Sequence, residues 1–493
     1  MKSNNIKYRL LLIIIFICII GGVAYFIKCN EFTAVYITVI ILLMILAAGT
    51  ILFFNVKAIH NSMFILIMIL GIMSSILNPV LDIPDEHDHI SRADLASRGY
   101  FIMGEDYKDY RLSNTVGCII HNNWSTFNHT PLTDTKPDWS TESTYYSYAN
   151  ANLFIGYIPQ TIGIMLSKVF APNDYIVFLF GRIMNVIMYA IVVRYALKKT
   201  PIYKVPLAIV SILPISLFIV GSYNADATTY AFGILAISYF LYLYEKQDIS
   251  VKDMSIYFII CTVLGVVKLP YCLLIGLLLF IPKDKYRSSK DYYKSIIFIL
   301  ITAIIALGWA GISVMRTEYS PFQSYFDKNG VNSREQVKFI LSSPIIFIKG
   351  FVVSLVKNIP GYVSQLNQFG WLTYSMPRAL TYLLNTFLVV VLIGYPSQSK
   401  LTKKTNIGVL LVSLGVYVAT CFTLYITWTT VWADFILGVQ GRYFVPVIGL
   451  LSLLWPYRIK CKENKKEFVD YIFMCVSVLF AIIYLIVVTN QYY

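Results

Sequence analysis

The densest run of ionisable residues in the chain is Asp82-Ile-Pro-Asp85-Glu86-His87-Asp88-His89-Ile-Ser-Arg92, directly after an apolar stretch. Pro84 suits the start of a helix, where its missing N–H costs nothing. If Asp85 opens that helix, Glu86, His89 and Arg92 recur at spacings of three to four and share one face. A carboxylate, an imidazole and a guanidinium on one face can take a proton from a hydroxyl and hold an anion. Asp85 and Glu86 are therefore candidate general bases, with His89 and Arg92 as supporting polar groups. A solvated helix cap at a membrane exit accounts for the same residues without chemistry. Asp85, His87 and His89 also offer oxygen and nitrogen ligands to a divalent metal. Their alternation by two fits a strand or loop better than a helix. No cofactor is required by the sequence, and a divalent metal is left open.

Three further segments carry polar groups at apolar boundaries. In Gly221-Ser-Tyr-Asn224-Ala-Asp226-Ala-Thr-Thr, Asp226 falls in the first turn of the next helix, where the helix dipole favours a carboxylate. Capping alone explains it; the functional reading has Asn224 and Asp226 facing an outer cavity. Lys268-Leu-Pro270-Tyr271 divides two short apolar halves, and a lysine there must reach water, an acid or a phosphate. Snorkelling to the interface is the plainer alternative. In Gln440-Gly-Arg442-Tyr443-Phe-Val-Pro446, Arg442 lies one to two turns inside the outer end of an apolar segment. A planar guanidinium in that setting suits a phosphate. Arg182 lies at similar depth in an earlier segment. The candidate phosphate-binding set is thus Arg442, Lys268, Arg182 and Tyr443. Trp124, Trp139, Tyr145, Tyr146, Tyr148, Trp371 and Tyr374 read mainly as interfacial anchors, a minority as sugar-stacking rings.

The elements that must position these residues are membrane helices. The 493 residues are 57% hydrophobic and only 13% charged, against about 25% charged in soluble proteins. The apolar runs are long enough to cross a core of ~30 Å as helices. Thirteen spans are predicted: Tyr8–Lys28, Phe32–Phe54, Asn61–Val80, Asp174–Leu197, Tyr203–Val220, Ala225–Tyr244, Asp253–Lys268, Leu269–Ile281, Tyr293–Val314, Pro377–Tyr395, Asn406–Trp428, Asp434–Trp455 and Phe468–Val488. Two other apolar stretches, Leu153–Phe170 and Pro344–Lys357, are expected to lie at the outer surface or dip in partway. With these spans, the basic connections around Lys7, Lys57, Lys198, Lys283–Lys290, Lys400–Lys404 and Lys460–Lys466 all fall on one side. By the positive-inside rule that side is the cytoplasm, with the N-terminus. The same rule explains the net charge of +14 without nucleic acid. Outer loops then cover about 81–150 and 316–376, and every candidate site residue maps to the outer half. The eight cysteines are scattered, with no CxxC pair, and read as small apolar residues. Residues 1–56 form an N-terminal hairpin, 57–456 the membrane core, and 457–493 a basic loop with the last span.

In this order, the Pro-Asp-Glu-x-x-His-x-x-Arg, Ser-x-Asn-x-Asp, Lys-x-Pro-Tyr and Gly-Arg-Tyr-Phe-x-Pro motifs resemble the bacterial membrane family called domain of unknown function 2142. That family is placed with the GT-C glycosyltransferases. The resemblance covers about Asn78 to Trp455, and Tyr8 to Phe54 look like an addition before it. It implies an all-α, GT-C-like polytopic fold and transfer of a sugar from a polyprenyl-phosphate donor to a cell-envelope glycan or polymer, outside the plasma membrane. Asp85 or Glu86 would be the base, and Arg442 the phosphate ligand with Lys268 as helper. Asp88 departs from the pattern, which has a small residue there. A polysaccharide polymerase or ligase, or a flippase or transporter, are the competing expectations; a transporter would place its polar groups near the midplane.

Overall fold

The computed structural model describes residues 2–28, 31–102, 111–141, 147–317, 323–396, 401–454 and 463–493. Cys29, Tyr145, Tyr146, Lys400, Trp455 and Lys460 lie outside them. In chain order the first half is α1 (Lys2–Ile27), α2 (Ala34–Phe53), α3 (Ile59–Leu77), α4 (Glu86–Ser97), α5 (Asn114–His121), α6 (Ile158–Phe170), α7 (Asp174–Lys199), α8 (Lys204–Ser211), α9 (Pro214–Val220) and α10 (Asp226–Glu245). The second half is α11 (Val251–Val267), α12 (Ser289–Thr317), α13 (Gln323–Lys328), α14 (Ser333–Ser342), α15 (Pro344–Lys357), α16 (Ile359–Gln365), α17 (Arg378–Val389), α18 (Lys403–Thr427), α19 (Val445–Leu451) and α20 (Glu463–Tyr492). One short antiparallel pair, Gln368–Phe369 with Tyr374–Ser375, interrupts the helices.

The protein is an all-α polytopic membrane protein. Among the described residues eight helices are long and apolar enough to cross a bilayer: α1, α2, α3, α7, α10, α12, α18 and α20. The count is nine if α14 and α15, bent by 111° at their junction, make one span. The other predicted spans are shorter or broken. Tyr203–Val220 divides into α8 and α9, with Pro214 opening the second piece. Leu269–Phe280 is a twelve-residue 3-10 helix opened by Pro270. Arg442 does not sit inside a continuous helix: Gly441–Phe444 form a 3-10 turn, and α19 starts only at Val445. The two stretches expected to dip in partway, α6 and α15, have 13 and 14 residues, about 20 Å of helix each, too short to cross alone.

The basic connections meet at one end of the bundle. Lys57 pairs with Glu467 at 3.5 Å and Arg287 with Asp248 at 2.9 Å. Lys199 lies over the Tyr242 ring at 4.8 Å, and Lys283 over Tyr292 at 4.7 Å. The first residues of α4 and α10 and the last of α11, α12, α18 and α20 gather at the opposite end, and there the polar motifs meet. The N-terminal hairpin α1–α2 packs on α20, and Thr33 Oγ1 donates to the Tyr493 carbonyl at 2.7 Å.

Close packing fixes the site's floor. A Cβ on Gly163 would lie 2.6 Å from the Gly181 Cα, and one on Gly181 would lie 2.1 Å from the Tyr223 ring. Small residues of this kind let helices approach in a bilayer. They hold α6 against α7 and the Tyr223 ring against both.

Candidate functional site

Arg442 is the hub of the polar end. The turn at Gly441 directs its guanidinium inward, where one Nη donates to Asp85 Oδ2 at 2.6 Å and the other to the Pro84 carbonyl at 3.4 Å. Its Nε stands 3.7 Å from Asp226 Oδ2 and makes no hydrogen bond. Asp226 in turn receives Lys268 Nζ at 2.5 Å. Lys268 ends α11, and its ammonium lies 3.7 Å from the centre of the Tyr443 ring, a cation–π contact that stabilises a desolvated cation. Asn224 Oδ1 caps α10 by accepting the Asp226 N–H at 2.8 Å, and its amide donates to the Pro84 carbonyl. Residues far apart in sequence thus make one cluster of two carboxylates and two cations. Arg442 is only 5% exposed, whereas the Asp85 carboxylate is 42% exposed. Asp85 therefore faces outward from a buried cation. Its backbone adopts a left-handed φ of 64°, a conformation uncommon outside glycine that often marks a functional constraint.

Glu86 and Arg182 are placed differently. Both side chains are fully buried and paired, Nε to Oε1 at 2.8 Å and Nη2 to Oε2 at 2.6 Å. Arg182 also donates to the carbonyls of Ser75, Asn78 and Pro79 at 2.8–2.9 Å. That spends all five N–H groups of the guanidinium. Glu86 further accepts the Tyr223 N–H at 3.0 Å. This pair straps the end of α3 to α4 and α7 and leaves no donor for a phosphate.

The helical face expected for Glu86, His89 and Arg92 is used in three directions. His89 Nδ1 meets the Tyr157 hydroxyl at 2.9 Å, and burial holds the imidazole down at about 4, so it is neutral at pH 7. Arg92 is buried and donates to the carbonyls of Asn152, Tyr100 and Phe101 at 2.8–3.0 Å. It fastens the segments that follow α4. His87 stacks on Trp371 with ring centres 5.7 Å apart. Asp85, His87 and His89 therefore do not converge, because α4 starts at Glu86 and removes the alternation by two. No group of three His, Cys, Asp or Glu side chains able to hold a metal occurs among the described residues.

A cavity of about 310 Å³ opens beside the cluster. One wall carries Asp226, Lys268, Arg442, Tyr443, His89 and Tyr157. The facing wall comes from the site ends of α12 and α18, with Trp309, Ser313, Thr420, Thr423, Thr427 and Trp428 among its side chains. The threonines stand at helical spacing in the sequence, but an apolar run masks them there. Asp82 heads the ionisable run, but spacing gives it no role of its own. It is buried, and it accepts the Tyr374 hydroxyl at 3.0 Å and the Tyr492 hydroxyl at 2.6 Å. Burial raises its carboxyl to about 6, the two tyrosine hydroxyls pulling the other way. It ties the strand that precedes α17 and the end of α20 to the segment that carries Asp85.

The family model described as a predicted membrane protein, DUF2142, matches residues 66–451. That range contains every residue of the four-charge cluster and leaves out α1, α2 and α20. No curated protein and no solved structure matches the chain.

Proposed function

The chain belongs to the DUF2142 family of predicted membrane proteins, and we propose that it is a membrane glycosyltransferase of GT-C type that uses a polyprenyl-phosphate-linked sugar. The observation that carries this reading is the Arg442–Asp85 contact beside the cavity. A half-exposed carboxylate and a buried guanidinium–ammonium pair are the two parts an inverting transfer needs. Asp85 takes the proton of the acceptor hydroxyl as its oxygen bonds to the anomeric carbon. The bond from that carbon to the phosphate oxygen breaks, and the phosphate leaves with the electron pair. Arg442 and Lys268 stabilise the charge that develops on it. Asp226 holds Lys268 in place, and Tyr443 covers it. Glu86 and Arg182 are structural in this scheme. The neutral His89 with Tyr157 lines the cavity without adding charge.

The cluster carries two positive and two negative groups, so an arriving phosphate competes with Asp226 for the cations. The segregation of polar motifs to one end, away from the basic connections, fits chemistry on the extracytoplasmic face on a cell-envelope acceptor. It also disfavours a transporter, which would line a midplane path.

Membranes containing the wild type should transfer label from at least one member of a radiolabelled polyprenyl-phosphate sugar panel to envelope material. Arg442→Gln should abolish that transfer. Label transfer that persists in Arg442→Gln at equal expression contradicts the assignment of the phosphate site.

A further inference from the structure

The cavity wall opposite the cations has its own chemistry. Thr420, Thr423 and Thr427 lie at spacings of three and four and share one face of α18. Each hydroxyl donates to the carbonyl four residues back, at 2.8, 2.8 and 2.9 Å. A hydroxyl has one hydrogen and two lone pairs, so what these threonines present to the cavity is acceptors. Ser313 on α12 is spent in the same way, donating to the Ala151 carbonyl at 3.2 Å. Trp309 adds an indole to the same wall. The slot is thus lined by neutral acceptors and the indoles of Trp309 and Trp428, with Lys268 and Arg442 at its edge.

We propose that this slot between α12 and α18 holds the sugar ring of the lipid-linked donor, and that the sugar is a single neutral, hydroxyl-rich ring. The inference rests on the donor reading above and extends it to the substrate class. Sugar hydroxyls supply the hydrogens that the threonine lone pairs lack. The ring's C–H face fits an indole, as apolar faces do. A uronate would set its carboxylate against acceptor oxygens, which repel it. A volume of about 310 Å³ is at the small end of ligand cavities, roughly 300–1,000 Å³. It suits one ring with its phosphate and does not suit an oligosaccharide.

The test measures dissociation constants of the purified protein in nanodiscs for bare undecaprenyl phosphate and for undecaprenyl phosphate carrying glucose, galactose, mannose or glucuronic acid. One neutral-sugar form should bind more tightly than the bare lipid. Thr423→Val and Thr427→Val should weaken that form by roughly three- to ten-fold, one lost neutral hydrogen bond each. The bare lipid should stay within about two-fold of wild type, and Thr423→Ser should restore the sugar form. Equal losses for bare and sugar-bearing lipid, no loss at all, or tightest binding of the glucuronate form each overturn the slot assignment. If the wild type binds bare undecaprenyl phosphate but no sugar form better, the slot assignment alone fails. Should the wild type bind no undecaprenyl phosphate in any form, the donor reading fails and the slot goes with it.

Discussion

Neighbouring acids in one short motif have opposite fates here. Asp85 faces outward on Arg442, while Glu86 turns inward to Arg182. Removing one partner of a fully buried ion pair leaves an uncompensated charge and costs about 3–5 kcal/mol. Glu86→Gln should therefore lower the thermal stability of the detergent-solubilised protein sharply, with transfer per folded molecule largely kept. Loss of transfer at unchanged stability would instead make Glu86 a chemical participant. Asp82 gives a pH signature. Its carboxyl, at about 6 in the folded protein, lies above the value of about 3.9 for an exposed aspartate. A pKa raised on folding stabilises the fold below the unfolded value, and that contribution is lost as pH climbs through 6. The melting temperature should then rise between pH 7.5 and 5 more in the wild type than in Asp82→Asn. Equal pH dependence in both would show that Asp82 is not the group responsible. The sequence disclosed which residues could do chemistry but not their partners. Glu86 meets Arg182 across 96 positions and Asp85 meets Arg442 across 357, separations that local spacing cannot see.

Helices were legible where hydropathy decides and illegible where the backbone breaks. The eight long spans are apolar runs that continue as one helix for at least 19 residues, because a lipid-facing segment must satisfy its own backbone hydrogen bonds. The breaks after Ser211, at Lys268 and at Gly441 each carry a proline close by, at Pro214, Pro270 and Pro446. A hydropathy window averages over these prolines, and so reads pieces as spans. The breaks at Lys268 and Gly441 end elements beside the polar cluster and free backbone direction for Lys268 and Arg442. Close helix approach is the other feature that patterns of apolar residues do not reveal. Gly181→Ala would drive a methyl into the Tyr223 ring and displace the Tyr223 N–H from Glu86. It should destabilise the protein by about 1–3 kcal/mol and reduce transfer in proportion to folded protein. A fully stable Gly181→Ala variant would contradict this account of how α7 is seated.

At the scale of the whole molecule, the charge rule and the three-dimensional arrangement point the same way. Basic connections that are scattered in sequence meet at one end, and the polar motifs meet at the other. That segregation into two ends was readable in loop composition. The order in which the helices pack was not, since every apolar helix face looks alike to a one-dimensional pattern. The α1–α2 hairpin, outside the family match, clasps α20 and so supports the helix whose Tyr492 holds Asp82. If the polar end faces outward, a cysteine at Trp371 should react with a membrane-impermeant maleimide in intact cells, and one at Arg287 only after lysis. The reverse pattern would invert the molecule and place the cluster in the cytoplasm.

If Asp85 is the base of a lipid-linked sugar transfer, the decisive comparison is transfer from the donor the wild type prefers, wild type against Asp85→Asn at equal folded protein. Transfer should fall by at least about 10²-fold, the scale of a lost general base, with donor binding retained because Arg442 and Lys268 are still present. Transfer by Asp85→Asn at the wild-type rate would contradict it.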